Sequence, residues 1–376
     1  SMALCLLLAD WAKNNQHSIV ALTVDHGLRN DAEKEALKVS KWLAVWGINH
    51  KILSWDGEKP ITGIQAAARN ARYSLMAQWC RENKHTVLMT AHHLEDQVET
   101  FLLRAERGSG LDGLASMNPI VGLEGVMLIR PLLGISKTFL RKFLIERQQI
   151  WIEDPSNNSL AFQRTRIRRL VGKLEQRGLL PRTIFKLIEH FANLRQQFSE
   201  VVKVFCERAV RILPESYGVV HLEALKYLPD PIMERVLVKI ISELSGNIYP
   251  PRRERIKHSM EKIKSIEMSN FTLGGCRFIL EGSKVIVCRD QRSITVKKVV
   301  AGDDFNWDGL FDVEISGPRG AVGKLGALGE KGWVEIVRKC PELKKISIPH
   351  PVRITLPTLF DDNGVVEVPS LKYRCR

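Results

Sequence analysis

The sequence predicts an α/β protein: a doubly wound parallel sheet at the N-terminal end, then a helical middle domain and a small β-rich C-terminal domain. Two observations predict it. Over the first 150 residues, short apolar, β-branched runs alternate with stretches of helical period, the pattern of right-handed strand–helix–strand crossovers. The chain has 376 residues, which at roughly 100–200 residues per domain calls for two or three domains. The expected boundaries are 1–190, 191–295 and 296–376.

Leu4 to Lys13 reads as a helix. Ser18–Val24 is a continuous apolar run and is expected as a strand buried on both faces. Asp25-His26-Gly27-Leu28-Arg29 follows as a loop, and Asp31 is placed to cap a helix reaching about Trp46. His50–Trp55 is a short strand, 64–83 a helix, Thr86–Ala91 a strand, and 94–107 a helix opened by His92-His93. Residues 182–211 read as one long helix. The helical pattern continues from Pro214 to Lys264. Phe278-Ile-Leu280 and Val285–Cys288 around Gly282-Ser283 read as a hairpin. A Gly-rich stretch, 317–332, precedes a β-rich tail. No internal repeat or low-complexity segment appears.

Lys plus Arg is 56 against 42 Asp plus Glu, a net charge of +14. That excess favours a polyanionic partner, nucleic acid first, over a merely basic surface. The apolar run Met2–Ala9 is too short to span a bilayer and lacks the basic segment of a signal peptide, so the expected compartment is the cytoplasm, with no membrane partner. The seven cysteines, at 5, 80, 206, 276, 288, 340 and 375, form no C-x-x-C pair, so neither a zinc ribbon nor a disulfide framework is supported.

In a doubly wound sheet, ligands sit outside the carboxyl ends of strands. Two loops there carry polar residues. One holds Asp25 and His26. The other is His92-His93-Leu94-Glu95-Asp96-Gln97-Val98-Glu99-Thr100. Asp96 and Glu99 share a helix face. They can hold Mg2+ or a cationic substrate, or merely complement the helix dipole. His92 and His93 read as metal ligands or as satisfied strand-end residues, and with no third ligand at suitable spacing the structural role is the favoured one. Gly108-Ser109-Gly110 is a phosphate-approach turn or a helix stop. Arg69 and Arg72 share a face that can grip phosphate. Residues 137–177 hold ten Lys or Arg and four Asp or Glu. Within them, Trp151 and Arg164, Arg166 and Arg168 pair a stacking face with cations, a combination suited to RNA.

Taken in order, Asp25-His-Gly-Leu-Arg29, Ala68-Arg69-x-x-Arg72-Tyr73, His92-His93-x-x-Asp96-Gln97-x-Glu99-Thr100, Arg107-Gly108-Ser109-Gly110 with Gly113-Leu114, Arg130-Pro131-Leu132-Leu133, and Trp151-x-Glu-Asp-Pro-Ser-Asn157 with Arg164-x-Arg166-Ile167-Arg168 closely resemble bacterial tRNA(Ile)-lysidine synthetases. These belong to the N-type ATP pyrophosphatase, or PP-loop, group. The match is dense over 1–170, looser over the helical middle, and resumes in the tail with Ile348-Pro349, Arg353 and Val366-x-Val368-Pro369.

The resemblance implies ATP-dependent ligation of L-lysine to C2 of the wobble cytidine of the CAU-anticodon isoleucine tRNA, through an adenylated tRNA. It implies ATP and Mg2+ as cofactors and leaves a homodimer open. It assigns His92, Asp96 and Glu99 to catalysis, with Asp96 and Glu99 as metal ligands. Ser1, Asp25, His26, Arg72, Gly108, Ser109 and Gly110 would lie near nucleotide or substrate, and Arg164, Arg166 and Arg168 would meet tRNA. Glu95 stands where the family more often has Asp, and the carboxylate is kept.

One departure matters more. The family's loop reads Ser-Gly-Gly-x-Asp-Ser before an apolar helix, and Ser1-Met2-Ala3-Leu4 resembles only its last Ser and that helix. The expectation is a fragment of a longer protein, with the strands beside the absent one left unpaired; an inactive chain is the alternative. A PP-loop tRNA thiolase competes less well, because such enzymes usually carry paired cysteines. A non-catalytic RNA-binding remnant also competes, and ATP binding separates it.

Overall fold

The computed structural model describes residues 1–27, 32–56, 60, 63–152, 163–246, 250–265, 268–318 and 320–375. It divides into two compact units, Ser1–Gln196 and Gln197–Arg376.

In the first unit the elements are α1 (Met2–Asn14), β1 (Val20–Asp25), α2 (Ala32–Val45), β2 (Asn49–Ser54), α3 (Ile64–Glu82), β3 (Val87–Met89), α4 (Leu94–Glu106), α5 (Leu111–Leu114), β4 (Ile120–Leu123), β5 (Val126–Ile129), α6 (Lys137–Glu146), α7 (Gln163–Gln176) and the first part of α8 (Pro181–Ala209), whose remainder is counted with the second unit. The expected alternation is present. β1 pairs β2 in parallel from Val20↔Asn49 to Asp25↔Ser54. β3 pairs β5 in parallel, with Met89 opposite Ile129, and β4 closes on β5 as an antiparallel edge.

Successive strand residues point to opposite faces, and the packing follows that rule. Ala21 and Met89 join α1, α2 and α6 around Leu6, Leu43 and Leu140, whereas Leu22, Val24 and Leu88 join α3 around Met76, Ala77 and Cys80. Helices therefore cover both faces. A separate cluster holds α4 against α7 and α8 through Leu94 and Val98, Val171 and Leu174, and Ile184 and Ile188. β1 is half-buried along its length rather than buried on both faces. Among the described residues its only ladder is with β2, and no pairing joins β1 or β2 to β3.

The second unit corrects one expectation. The helical pattern does not run unbroken beyond Ala209. β6 (Val210–Leu213) and β7 (Tyr217–His221) intervene before α9 (Leu222–Lys226), α10 (Asp230–Ser245) and α11 (Arg253–Lys264). These strands pair with each other and β7 joins β10, giving one antiparallel sheet of order β6-β7-β10-β9-β8, with β8 (Phe271–Leu273), β9 (Cys276–Glu281) and β10 (Lys284–Arg289). The expected hairpin is the β9–β10 pair, with Lys284 opposite Glu281. Val285 and Val287 pack on α10 and α11; Ile286 and Cys288 pack on the opposite side with Trp333, Ile336 and Val352.

The tail contains β11 (Lys297–Val300), the hairpin β12 (Asp304–Trp307) and β13 (Phe311–Glu314), β14 (Val322–Ala327), α12 (Gly329–Lys339), α13 (His350–Arg353), β15 (Pro357–Asp361), β16 (Gly364–Val368) and β17 (Tyr373–Arg374). Among the described residues no helix is long and apolar enough to cross a membrane.

Candidate active site

The candidate residues gather where β3 ends and α4 begins. Thr90 extends the β3–β5 ladder by donating its amide to the Ile129 carbonyl at 2.9 Å. Its hydroxyl lies 3.0 Å from Nδ1 of His92. His93, in extended conformation, is the N-cap of α4. Its amide donates to Oδ2 of Asp96 at 3.0 Å, and the Leu94 amide donates to the Ile135 carbonyl at 3.0 Å. The first turn of α4 is thereby tied to the segment that follows β5.

Three arginines act on His92 through their charge. Burial drives the His92 pKa down to about 4; the charge of Asp96 opposes that fall, and Arg130, Arg69 and Arg72 add to it. The ring is therefore neutral at pH 7, and these five side chains share one electrostatic neighbourhood. On α3 the guanidinium carbons of Arg69 and Arg72 lie 5.1 and 5.5 Å from the Tyr73 ring centroid. Arg130 is buried; one terminal nitrogen donates to the Asn118 carbonyl at 2.7 Å, while its buried Nε has no hydrogen-bond partner. A buried, unsatisfied guanidinium donor beside two more arginines fits an anion such as a polyphosphate.

Asp96 and Glu99 occupy adjacent turns of α4 and differ in environment. The Asp96 side chain is 24% exposed. Glu99 is buried, receives Nε of Arg168 at 2.5 Å on Oε1, and leaves Oε2 without a partner. Neither belongs to a cage: among the described residues no three His, Cys, Asp or Glu side chains cluster to hold a metal. Mg2+ needs only one or two carboxylates when phosphates supply its other ligands, so Asp96 fits a metal that arrives with a nucleotide.

The backbone nitrogen of Ser1 lies in the neighbourhood of Asp96. Asp25 ends β1, and its Oδ1 accepts the Gly27 amide at 2.8 Å. His26 packs edge-on against Trp55, centroids 6.1 Å apart. Leu28, Arg29 and Asp31 lie outside the described residues, as does the 153–157 part of the Trp151 motif.

Gly108, Ser109 and Gly110 are not brought into the cluster. They lie at the other end of α4, roughly 18 Å along its axis from Asp96 at 1.5 Å per residue. There Gly108 adopts φ 65°, and the Gly108 and Ser109 amides donate to the carbonyls of Ala105 and Arg104. That is a helix stop, the second of the two meanings the turn carries in the sequence.

The three arginines of α7 also divide. The Arg164 side chain lies outside the described residues. Arg166 is exposed, and Arg168 is turned onto Glu99.

Sequence reasoning overlooked Gln97 and gave no role to Arg130. Gln97 is buried and exchanges hydrogen bonds with the backbone of Met117, bracing α4. The signal for Arg130 was its position directly after an apolar strand.

The layered sheet and a charged cluster at a strand's carboxyl end define a class, and a family model described as a PP-loop domain matches residues 1–175. The first unit is a PP-loop domain. The chain is 32% identical over 380 residues to the tRNA(Ile)-lysidine synthase of Wolbachia pipientis wMel, covering 99% of this chain and 86% of that protein. It is 32% identical over 371 residues to that of Ruegeria pomeroyi, covering 98% and 85%. It is 35% identical over 284 residues to that of Hyphomonas neptunium, covering 74% and 75%. The chain belongs to the tRNA(Ile)-lysidine synthase family. Among solved structures, a U34-tRNA thiolase of Methanococcus maripaludis is similar at 15% identity and a TM-score of 0.43, over 50% of this chain and 68% of that one.

Proposed function

We propose that this protein is a cytoplasmic ligase that uses ATP to join L-lysine to C2 of the wobble cytidine of CAU-anticodon isoleucine tRNA. The observation that carries the reading is the cluster around His92 and Asp96. A neutral imidazole sits within the electrostatic reach of the part-exposed Asp96 carboxylate and of Arg130, Arg69 and Arg72.

Two steps follow from the chemistry. The cytidine O2 attacks the α-phosphorus of ATP, forming an adenylated tRNA and releasing pyrophosphate. The lysine amine then attacks C2, the C–O bond breaks, and AMP leaves. The first step builds charge on phosphoryl oxygens, which preorganised guanidinium groups stabilise. Arg130 offers its unsatisfied Nε for this, with Arg69 and Arg72 beside it. Mg2+ would be held by Asp96 and would neutralise phosphate charge.

Asp96 and Glu99 face the ammonium of lysine, so analogues lacking that charge bind poorly. His92, held neutral, helps orient the attacking amine without taking up charge. Arg166 and Arg164 on α7 meet tRNA phosphates, whereas Arg168 holds α7 to Glu99. Asp25, His26 and Ser1 line the nucleotide side. The division of the second unit near residue 295, into a tRNA-binding helical part and a tRNA-binding tail, belongs to the same proposal.

Asp96→Ala tests this reading. Lysine transfer should be lost while tRNA affinity stays within about threefold, because the change removes chemistry and not phosphate contacts. Unaltered transfer would take Asp96 out of the site.

A further inference from the structure

Helix α7 carries cations on two sides. Ile167 is buried, and Val171 and Leu174 pack against the cluster shared with α4 and α8. Arg168, beside that apolar side, reaches Glu99 on α4. At about 3.6 residues per turn, Arg166, Arg169 and Lys173 fall on one stripe, turned away from the apolar side. All three are exposed. Among the described residues no carboxylate pairs with any of them, whereas the exposed Lys142 of α6 pairs with Glu146 one turn on. The single acidic residue of α7, Glu175, does not share the stripe.

Like charges three and four residues apart destabilise a helix. The stripe therefore costs stability on its own, and an anion laid along it relieves that cost. From Arg166 to Lys173 it runs roughly 10 Å at 1.5 Å per residue. Over that length one strand of a duplex presents about three phosphates. An anionic membrane would need a broad apolar face beside the cations, and here only Leu170, 42% exposed, stands at the stripe.

The inner side of α7 sets where such a strand lies. Nε of Arg168 and Oε1 of Glu99 are 2.5 Å apart. A helix with its side chains is about 10–12 Å across, so a phosphate on the stripe lies roughly 15 Å from the Glu99 carboxylate. In the proposed reaction that carboxylate faces the lysine that attacks the wobble base. Phosphates at this distance belong to nucleotides a few steps from that base, in the anticodon arm.

We propose that α7 seats the anticodon arm: Arg166, Arg169 and Lys173 track its phosphates, while Arg168 holds the helix at a fixed distance from Glu99. The proposal rests on the lysidine reading for which arm is bound, and on exposure, spacing and charge for the track.

The full chain carrying Arg169→Ala and Lys173→Ala is the test. Both side chains are exposed, so the melting temperature should hold. Affinity is measured between about 50 and 200 mM salt for whole tRNA and for a hairpin RNA of the anticodon arm. The slope of log affinity against log salt should fall by about 1.5–2 units for both RNAs, at about 0.7–0.9 per phosphate. A hairpin with the same stem and a changed anticodon should lose as much, because phosphate contacts carry no sequence. Lys142→Ala, which removes an exposed cation elsewhere in the unit, should leave the slope unchanged.

An unaltered slope in the double variant overturns the proposal. So does a fall seen with whole tRNA but not with the hairpin, which would put another arm on α7. An equal fall per charge in Lys142→Ala overturns it too, since a diffuse field would then be acting. If the parent transfers no lysine to tRNA, the lysidine reading falls, and the hairpin slopes still decide the track.

Discussion

Replacing Arg168 with Ala isolates the contact that pins α7 to α4. Glu99 is 7% exposed at its side chain and Arg168 38%, with Nε and Oε1 2.5 Å apart. Removing one partner of a fully buried pair costs about 3–5 kcal/mol, because the remaining charge stays out of water. A fully exposed pair is worth about 0–1 kcal/mol. With one partner buried and one reaching solvent, the estimate falls between, at about 2 kcal/mol.

In a unit the size of Ser1–Gln196, 1 kcal/mol moves a midpoint by about 2–4 °C. Arg168→Ala should therefore lower the first unit's melting transition by about 4–8 °C. Thermal melts of Arg168→Ala, Glu99→Gln and the double variant form a cycle, in which the double change should cost less than the sum by about 1 kcal/mol. Additive losses, within about 0.5 kcal/mol, would mean that the two side chains do not sense each other, and the account of α7 would fail.

Two further outcomes follow from charge. Arg166→Ala should weaken tRNA binding and lower the slope of log affinity against log salt by about one unit, since one phosphate contact is lost; an unaltered slope returns Arg166 to plain solvated surface. His92 has a folded-state pKa of about 4 against 6.5 in the unfolded chain. Between those values the unfolded state binds more protons, so stability is full above pH 6.5 and is lost as pH falls toward 4. The loss attributable to His92 is about 2 kcal/mol after solvent screening. Denaturant titrations across that window should show it, and His92→Gln should flatten it; an identical slope in the variant would contradict the burial of the neutral ring.

Much of the first unit was legible because its strands and helices differ in period and the crossovers follow one hand. β6 and β7 were not. Val210–Leu213 continues the apolar spacing of α8 without a break, and pairing to β7, itself held by distant β10, is what makes the segment a strand. The His92–Asp96 turn was legible as polar residues at a strand's carboxyl end. Its basic partner was harder to see, since only the β3–β5 ladder, with Met89 opposite Ile129, sets Arg130 beside it.

Gly108–Gly110 was legible only as a turn, because one Gly-Ser sequence serves equally as phosphate loop and helix stop. The spacing of the α7 arginines carries its own division: residues two apart on a helix do not share a face, so Arg166 turns to solvent and Arg168 to Glu99.

The most direct measurement is the fate of the wobble base. The protein is mixed with a CAU-anticodon isoleucine tRNA transcript and labelled lysine, with and without ATP, and the wobble nucleotide is isolated. Lysine attached to cytidine only when ATP is present is the predicted result. tRNA bound tightly with the cytidine unchanged in both mixtures would contradict the central claim.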